Sequence, residues 1–480
     1  MRNLDAIKRF TGSDCQLEVN ELRSDSRAVS KGDVFVAVRG QLRDGRKYIG
    51  DAVRNGAAAV IYENSDGYEF RQDGVECIGV SGLDAKLPEM ASVFYDEPSK
   101  KLKVVGITGT NGKSSTAYYV AQLFAAVGIK CGIVGTVGNG FVDHLTPAVN
   151  TTPGPVEVQQ ELLRQLSHGA RYVAMEVSSH GIAQGRIRGI TFAAVVFTNI
   201  SRDHLDFHKT FEAYFGVKKG FILENSRLPV ILNSDDKHAR AELLPELKRA
   251  PAVVTVGSEG SVGISEIAAE SAGTSFTLAR DGMEQRITLP LIGAFNVYNA
   301  VEAFAAVRAF AVDDKALAEA LRTLKPLKGR MEIFRRQGSP LCLVDYAHTP
   351  DGIEKALTGA REHTQGRLIS VVGCGGDRDR GKRPMMAEMA ASLSDYLIIT
   401  DDNPRTEDPQ RIVDDMLEGK ISCDYEVIHD RRAAIVRAVE LASVRDTVVV
   451  AGKGHEDYQI IGAVKHHFSD QEVLKEVLEI

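Results

Sequence analysis

The chain has 480 residues, which is too long for one ordinary hydrophobic core and corresponds to about three domains. Its composition, 44% hydrophobic and 26% charged, is typical of a globular protein in water. The net charge of −7 argues against binding to nucleic acid, which requires clustered Lys and Arg. Local basic clusters are therefore interpreted as sites for small anions.

The cysteines and the apolar runs indicate the compartment. Six cysteines are scattered without the paired spacing of a metal site, which favours reduced and mostly buried thiols: Cys15, Cys77, Cys131, Cys342, Cys374 and Cys423. No apolar run approaches the ~20 residues that cross a bilayer, and the first residues lack the core of a signal peptide. We expect a cytoplasmic monomer with no membrane insertion.

The predicted elements divide the chain into three parts. Residues 1–98 contain the strand candidates 33–38 and 58–62 and form a small α/β domain. In residues 99–327, strand candidates alternate with helical stretches and predict a parallel sheet, at 103–108, 172–177, 193–198 and 229–232. An antiparallel insertion is predicted at 275–278 and 285–289, before a helix marked by Val297, Val301, Phe304 and Val307.

Residues 328–480 predict a second doubly wound sheet. Its strand candidates are 341–345, 368–373, 396–400 and 447–451, separated by helices such as 432–442. The predicted fold is thus α/β with three domains. A central parallel sheet with a phosphate-binding loop (P-loop) is flanked by a small N-terminal α/β domain and a C-terminal Rossmann-like domain.

The strongest motif is Ile107-Thr-Gly-Thr-Asn-Gly-Lys-Ser-Ser115, between a predicted strand and a predicted helix. Small residues let backbone N–H groups surround phosphate oxygens, Lys113 can reach the β- and γ-phosphates, and Ser114 can offer a hydroxyl to Mg²⁺. The general template expects glycine at position 107, where isoleucine stands. The motif predicts nucleoside triphosphate binding, with an ordinary turn as the alternative.

Two polar tracts follow predicted strands in the central domain, where open α/β sheets bind ligands. One is Met175-Glu-Val-Ser-Ser-His-Gly181, and the other is the tract from Thr198 to His208, with Asn199, Asp203 and His204. A carboxylate and an imidazole near a triphosphate could hold Mg²⁺. The alternatives are a structural histidine and an aspartate, Asp203 or Asp206, that only caps a helix.

Three charged loops follow predicted strands of the C-terminal domain, at 374–384, 400–405 and 451–456. A single charged loop is often solvent-exposed surface with no function. Here three such loops follow strands that end at the same edge of a parallel sheet, which indicates a binding site. Guanidinium groups beside carboxylates suit a zwitterion, because arginine binds a carboxylate and aspartate or glutamate receives an ammonium. An amino acid is the simplest such ligand.

Together the motifs resemble the Mur ligase family, ATP-dependent amide-forming enzymes of peptidoglycan precursor synthesis. The matching motifs span nearly the whole chain: Gly109-Thr-Asn-Gly-Lys-Ser-Ser115, Asn150-Thr-Thr-Pro153, Glu176-Val-Ser-Ser-His180, Asp203-His204, Gly293-Ala-Phe-Asn-Val-Tyr-Asn299, Gly329-Arg-Met-Glu332 and Asp345-Tyr-Ala-His-Thr-Pro350. Within the family, Asp402-Asn-Pro-Arg405 resembles the members that add meso-2,6-diaminopimelate, whereas lysine-adding members usually replace its arginine. The second carboxylate of diaminopimelate needs a cation.

The resemblance implies roles position by position. ATP binding is expected at Gly109, Thr110, Asn111, Gly112, Lys113, Ser114, Ser115, Asn296, Arg330, Asp345 and His348. Binding of the UDP-N-acetylmuramoyl dipeptide is expected at Ser24, Ser26, Gln41, Leu42, Arg43, Asn150, Thr151, Thr152, Ser178, Gln184 and Arg186. Binding of diaminopimelate is expected at Arg378, Asp402, Asn403, Pro404, Arg405, Gly452 and Glu456.

The catalytic set that the resemblance implies is Lys113, Glu176, His204 and Lys218, with Mg²⁺ held by Ser114, Glu176, His204 and Lys218. Lys218 aligns with a lysine that similar enzymes carry as a carbamate formed with CO₂ (N6-carboxylysine), and an ordinary unmodified lysine is the alternative. Only a neutral amine attacks CO₂, so its site must disfavour the ammonium. His180 is a second candidate for proton transfer.

The expected reaction is an ADP-forming ligation. The D-glutamyl γ-carboxylate of UDP-N-acetylmuramoyl-L-alanyl-D-glutamate attacks ATP to give an acyl phosphate, and the amine of diaminopimelate then displaces phosphate. Three alternatives stay open: L-lysine as the acceptor, a ligase like folylpolyglutamate synthetase, and a switch or motor that hydrolyses nucleotide without an amino acid.

Overall fold

The computed structural model describes residues 2–40, 44–270 and 273–480. The chain forms two compact units. The first comprises Met1–Thr108 and Ile129–Val195, and the second comprises Gly109–Gly128 and Val196–Ile480. Within the described ranges, every helix is too short or too polar to cross a lipid bilayer.

The first unit begins with a four-stranded parallel sheet. Its strands follow chain order: Leu22–Arg23, Val34–Ala37, Ala59–Glu63 and Glu76–Val80. Val34 and Ile61 enter one apolar cluster, whereas Phe35 and Val60 enter another, so both faces of the sheet are buried. The main helices are Ile49–Arg54 and Leu83–Phe94, and a short strand pair joins Arg2–Asn3 to Glu18–Val19. The two strands predicted here are confirmed within one residue at each end.

The second sheet of this unit carries the strand that precedes the P-loop. Its order is His144–Thr146, Gly138–Phe141, Cys131–Gly135, Tyr172–Glu176 and Lys103–Thr108. The last three strands are parallel, and two of them, Tyr172–Glu176 and Lys103–Thr108, were predicted. The hairpin at 138–146 extends them in antiparallel fashion. The helices are Pro98–Lys101, Pro155–Ser167 and Ser179–Ala183. The strand Phe192–Phe197 then leads the chain into the second unit.

The second unit contains the helix that follows the P-loop and an antiparallel region. Its first strands are Val230–Asn233, Val253–Gly257, Val262–Glu270, Gly273–Arg280 and Met283–Leu289, and the last three are antiparallel. The predicted insertion is therefore confirmed. The helices are Lys113–Ala126, Leu205–His208, Phe211–Glu224, Ala294–Arg308 and Asp314–Leu321. Ala294–Arg308 buries Val297, Val301, Phe304 and Val307, as their spacing predicted.

A six-stranded sheet forms the rest of this unit. Its order is Glu332–Phe334, Leu341–Asp345, Thr447–Ala451, Leu368–Val372, Tyr396–Ile399 and Asp424–Val427, and all but the first strand are parallel. Helices Pro350–Glu362, Lys382–Leu393 and Pro409–Leu417 cover one face. Helices Arg431–Leu441 and Asp470–Leu478 cover the other face, and a hairpin pairs Tyr458–Ile461 with Val464–His467. The doubly wound prediction is confirmed.

Candidate active site

The glycines of the P-loop are required by its backbone. Gly109 has a φ of +146° and Gly112 a φ of +86°, both in the region that favours glycine. A Cβ at Gly109 would lie 2.0 Å from Thr198 Oγ1, and a Cβ at Gly112 would lie 2.2 Å from Asn299 Oδ1. The two glycines therefore allow a close approach of the loop to the side chains that surround it.

Thr198 and Asn199 hold this loop in place. Asn199 accepts the N–H of Thr110 on its backbone oxygen (2.8 Å) and the N–H of Asn111 on Oδ1 (3.0 Å). In return, Asn199 Nδ2 and Thr198 Oγ1 donate to the carbonyl oxygen of Asn111. Sequence reasoning placed Asn199 at a strand end but did not anticipate that its amide would fix the loop backbone.

The side chain of Lys113 folds back over the P-loop backbone. Its Nζ donates to the carbonyl oxygens of Gly109 (3.0 Å) and Thr110 (2.7 Å). Lys113 also begins the 14-residue helix Lys113–Ala126, followed by the buried Ser114 and Ser115. A helix N-terminus with a lysine beside it favours bound anions such as phosphate.

Lys218 is buried on the helix Phe211–Glu224, with only 1% of its surface exposed. Its Nζ donates to the carbonyl oxygen of Gly109 at 2.7 Å and lies 5.0 Å from the centre of the Tyr214 ring. Burial, and then the charge of Lys113, lower the pKa of Lys218 well below its usual value. This site therefore disfavours the ammonium form of Lys218 relative to that of an exposed lysine.

His204 lies beside Asp203 on the surface of the second unit. The Asp203 carboxylate accepts the backbone N–H of His204 at 2.8 Å, and Asp203 Oδ2 lies 3.4 Å from His204 Nε2. His204 has a φ of +53° and directly precedes the helix Leu205–His208, whose first turn contains Asp206. The Asp203 carboxylate therefore contacts both the backbone N–H and the imidazole of His204.

The Asp351 carboxylate links the P-loop to the helix Pro350–Glu362. It accepts hydrogen bonds from Asn111 Nδ2, from Ser201 Oγ (3.3 Å) and from Lys355 Nζ (3.0 Å). A cavity of about 460 Å³ adjoins this point, lined by Asn199, Ile200, Ser201, Arg202, Phe211, Asp236, Lys237, His238, Asp351 and Lys355. Sequence reasoning did not single out Asp351, although it follows the motif 345–350 directly.

Three of the expected ATP-binding residues group around Tyr346. The Arg330 guanidinium lies 4.7 Å from the centre of the Tyr346 ring, and the His348 ring lies 4.7 Å from it. Asp345 accepts the N–H of Met331 at 2.8 Å, and burial raises the pKa of this carboxyl although Arg330 opposes the shift. Asn296 lies on the helix Ala294–Arg308, where its Oδ1 accepts from Tyr119 OH at 3.1 Å.

In the first unit, Glu176 is held at the end of its strand. Its Oε1 accepts the N–H of Thr136 (2.7 Å), and its Oε2 accepts the Thr136 hydroxyl (3.2 Å). A Cβ at Gly135 would lie 2.1 Å from Glu176 Oε1, so glycine permits this approach. The carboxylate is buried and fixed in orientation.

Several of the residues expected to bind the dipeptide substrate form one hydrogen-bonded group in the first unit. Thr152 Oγ1 donates to the carbonyl oxygen of Glu176 and accepts the N–H of Ser178. Arg186 donates to the carbonyl oxygen of Thr152 at 2.8 Å and to Gln184. Thr151 accepts from Thr136 at 3.0 Å.

The other residues of that prediction lie elsewhere in the first unit or outside the described ranges. Ser24 donates to Glu157 on the helix Pro155–Ser167, a partner that the sequence did not suggest. Ser26 is buried in a 3₁₀ turn, and Asn150 is exposed. Gln41, Leu42 and Arg43 lie outside the described residues.

The rim of the C-terminal sheet brings the third predicted set together. Asn403 Nδ2 donates to Glu456 Oε2 at 2.9 Å, and a Cβ at Gly452 would lie 2.6 Å from Asp402 Oδ2. Arg405 has a φ of +53° and donates to the carbonyl oxygen of Gly376 at 2.8 Å.

The same rim includes residues with other roles. Pro404 is buried, and Arg378 is exposed, with Nη1 donating to the carbonyl oxygen of Asp377. The buried Lys453 donates to both Asn403 and Glu456 and was missed, although its tract 451–456 had been recognised as charged.

The cysteines and the other potential metal ligands are dispersed through the described residues. Cys131, Cys342 and Cys374 are buried free thiols, and the other three cysteines are partly buried. Across the described ranges, no three His, Cys, Asp or Glu side chains are arranged as a metal site. Mg²⁺ that binds mainly through phosphate oxygens and water needs few protein ligands.

Three family models match the chain in succession. The description "Mur ligase family, catalytic domain" matches residues 18–95, "Mur ligase middle domain" matches 107–307, and "Mur ligase, glutamate ligase domain" matches 329–454. A protein of Vibrio vulnificus (strain YJ016) named UDP-N-acetylmuramoyl-L-alanyl-D-glutamate--2,6-diaminopimelate ligase is 43% identical over 474 residues. That alignment covers 97% of this chain and 95% of the relative.

Solved structures give the same relationship. A structure of a UDP-N-acetylmuramoyl-L-alanyl-D-glutamate--2,6-diaminopimelate ligase is 33% identical, with a TM-score of 0.70 over 100% of this chain and 99% of that one. A Mycobacterium tuberculosis folylpolyglutamate synthase complexed with ADP and AMPPCP is 21% identical and shares the fold, with a TM-score of 0.63 over 77% of this chain and 92% of that one. The matches extend from the first sheet to the last, and the chain belongs to the Mur ligase family.

Proposed function

We propose that this enzyme joins meso-2,6-diaminopimelate to the D-glutamyl γ-carboxylate of UDP-N-acetylmuramoyl-L-alanyl-D-glutamate, with cleavage of ATP to ADP and phosphate. The observation that carries the proposal is the rim where Arg405 lies with Asn403 and Glu456. A guanidinium and a carboxylate on one rim suit an amino acid that has a carboxylate beside each ammonium. The full-length likeness to relatives named for this reaction supports the same substrates.

In the first step the γ-carboxylate of the dipeptide attacks the γ-phosphorus of ATP, forming an acyl phosphate and ADP. Lys113 and the backbone N–H groups of the loop other than those of Thr110 and Asn111, which donate to Asn199, stabilise the negative charge that spreads over the phosphoryl oxygens. Asn199 and Thr198 fix the loop before the substrate arrives, so little reorganisation is needed during the transfer. Arg330, Asp345, His348 and Asn296 bind the rest of the nucleotide in this proposal.

In the second step the neutral amine at the L-centre of diaminopimelate attacks the acyl carbon. The tetrahedral intermediate then expels phosphate, and the amide remains. Glu456 receives an ammonium of the diamino acid and Arg405 its remote carboxylate. The proposed acceptors of the proton that the attacking amine loses are His180 and His204, the latter beside Asp203.

Mg²⁺ is proposed to bind through Ser114, Glu176, His204 and the carbamate of Lys218, and it would neutralise charge on the triphosphate. The lowered pKa of Lys218 supports carbamate formation, because the neutral amine is the form that adds CO₂. The proposed domains are residues 1–98 for the UDP substrate, 99–327 for ATP and 328–480 for the amino acid. The proposed molecule is a cytoplasmic monomer.

A coupled phosphate assay tests the proposal. With ATP and Mg²⁺, phosphate should appear only when dipeptide nucleotide and diaminopimelate are both present, with one amide formed per ADP. Phosphate release without any amino acid would favour a nucleotide-hydrolysing switch. Glutamate addition to a folate would favour the folylpolyglutamate alternative, which shares only the fold over 77% of this chain.

A further inference from the structure

Lys453 is a fully buried lysine at the rim of the C-terminal sheet, with 0% of its surface exposed. Its Nζ donates to Asn403 Oδ1 and to Glu456 Oε2, both at 3.1 Å, and lies 5.6 Å from the centre of the Tyr458 ring. An ammonium removed from water is costly unless it is paired and hydrogen-bonded. Both hydrogen-bond partners of Lys453 belong to the proposed acceptor site.

Lys453 contributes to the orientation of the Asn403 amide. Asn403 Oδ1 accepts from Lys453 Nζ and from the N–H of Ile460 (2.9 Å), while Nδ2 donates to Glu456 Oε2 (2.9 Å). Rotating the amide by half a turn would place its NH₂ group against two donors and its oxygen against a carboxylate. The ammonium and the Ile460 N–H therefore together fix the face that Asn403 presents to a ligand.

Lys453 also fixes the Glu456 carboxylate. Glu456 Oε2 accepts from both Lys453 and Asn403, whereas in the described ranges no hydrogen bond is formed to Oε1. The side chain of Glu456 is 14% exposed, so Oε1 can receive a donor from a ligand. The lysine consequently holds Oε2 of Glu456 against its own ammonium and leaves Oε1 to accept from the ammonium of a ligand.

We propose that Lys453 is a positioning residue for the acceptor amino acid, which fixes Asn403 and Glu456 in the orientation that binds a diamino acid. This inference rests on the proposed function. It assigns Lys453 no contact with the reacting atoms, so the loss of its ammonium should weaken acceptor binding more than it slows catalysis.

The test replaces Lys453 with methionine, whose unbranched side chain is one atom shorter and carries no charge. We expect the KM for diaminopimelate to rise by at least about tenfold, because both binding groups lose a fixed orientation. The kcat should stay within about threefold and the KM for ATP within about twofold. A double-mutant cycle with Glu456→Gln should be non-additive by at least about threefold, since the two side chains act as one unit.

The matched control is Lys420→Met, a change at an exposed lysine of the same sheet domain. Wild type and the control must both release phosphate in response to diaminopimelate; if neither does, the proposed function fails. If both do, and Lys453→Met leaves the KM for diaminopimelate within twofold, the Lys453 inference alone is overturned. It is also overturned if the KM values for ATP and diaminopimelate rise equally. If Lys453→Met does not fold, Lys453→Gln is measured against the same limits.

Discussion

Lys113 and Lys218 donate hydrogen bonds to one acceptor, the carbonyl oxygen of Gly109, at 3.0 Å and 2.7 Å. Two ammonium groups this close repel each other, and burial penalises the charge of Lys218 further. In the proposed mechanism Lys113 contacts the phosphate groups, and Lys218 is the lysine that adds CO₂.

Lys218→Arg tests the proposed carbamate. Arginine retains a cation but has no amine that adds CO₂, so we expect kcat to fall by at least about 100-fold, the size of the loss when a charge-stabilising group is removed from an active site. Lys219→Arg is the matched control, because the neighbouring Lys219 pairs with Glu246 on the surface. Equal kcat values for the two variants, measured at saturating substrates, would refute the role of Lys218.

Gly109→Ala should abolish tight ATP binding. The new Cβ would lie 2.0 Å from Thr198 Oγ1, and the φ of +146° would strain any residue with a Cβ. We expect the dissociation constant for ATP, measured by calorimetry, to rise by at least about tenfold, a cost of about 1.4 kcal/mol. Gly216→Ala is the control, since nothing lies within 4 Å of its added Cβ. ATP affinity that is unchanged in Gly109→Ala would contradict this account of the loop.

Asp351→Ala should weaken nucleotide use, because Asn111 and Ser201 lose a shared acceptor. Removing a charged acceptor from hydrogen bonds costs about 1.5–3 kcal/mol, so we expect the KM for ATP to rise roughly tenfold. Glu354→Ala, an exposed acidic residue on the same helix, should leave that KM unchanged. A KM for ATP that is the same in both variants would show that Asp351 does not support the loop.

The buried carboxyl of Glu302 should make the free energy of unfolding depend on pH. This carboxyl is 1% exposed, and Thr116 Oγ1, on the helix that follows the P-loop, donates to it at 3.4 Å. Burial raises the pKa of Glu302 well above its usual value, so the folded protein keeps a proton that the unfolded chain loses above its ordinary pKa of about 4.5. Stability from this group is complete below that pH and is lost as pH rises toward the folded pKa.

Glu302→Gln removes that titration while it keeps the shape of the side chain. We expect the Tm of the variant to exceed that of wild type by an amount that grows between pH 5 and pH 8, as followed by scanning fluorimetry. Glu319→Gln, on an exposed helix position, is the control and should show a constant difference. A Tm difference for Glu302→Gln that shrinks as pH rises would reverse the sign and refute the assignment.

Arg405→Ala tests specificity for the acceptor. If the guanidinium pairs with a desolvated remote carboxylate, its loss should cost about 2 to 4 kcal/mol in discrimination between diaminopimelate and L-lysine. The ratio of kcat/KM for the two acceptors measures that discrimination, with Arg411→Ala at an exposed position as the control. Equal losses with both acceptors would show that Arg405 does not bind the remote carboxylate.

The positions of the main strands and their parallel arrangement could be predicted from the sequence, because buried parallel strands are continuous apolar runs bounded by turn residues. Strands Lys103–Thr108, Leu341–Asp345 and Thr447–Ala451 have the predicted ends. Their carboxyl ends also indicated where the ligands would bind. The short strand pair at 2–3 and 18–19 was not predicted, since two-residue strands carry no periodic pattern.

The supporting contacts of the site could not be predicted. Asn199 and Asp351 reach the P-loop from positions 88 and 240 residues away along the chain, and no local pattern encodes such contacts. Lys453 lay inside a recognised tract, but an exposed lysine and a buried one look alike in a sequence. Burial and hydrogen-bond partners, rather than residue type, distinguish the residues that support the site.

The mass of the amide product tests the central proposal most directly. In one reaction, the enzyme receives ATP, Mg²⁺ and UDP-N-acetylmuramoyl-L-alanyl-D-glutamate with equal concentrations of meso-2,6-diaminopimelate and L-lysine. We predict a product whose mass equals the dipeptide nucleotide plus diaminopimelate minus water, in one-to-one ratio with ADP. A product that carries lysine instead, or ADP formation with no amide, would contradict the account.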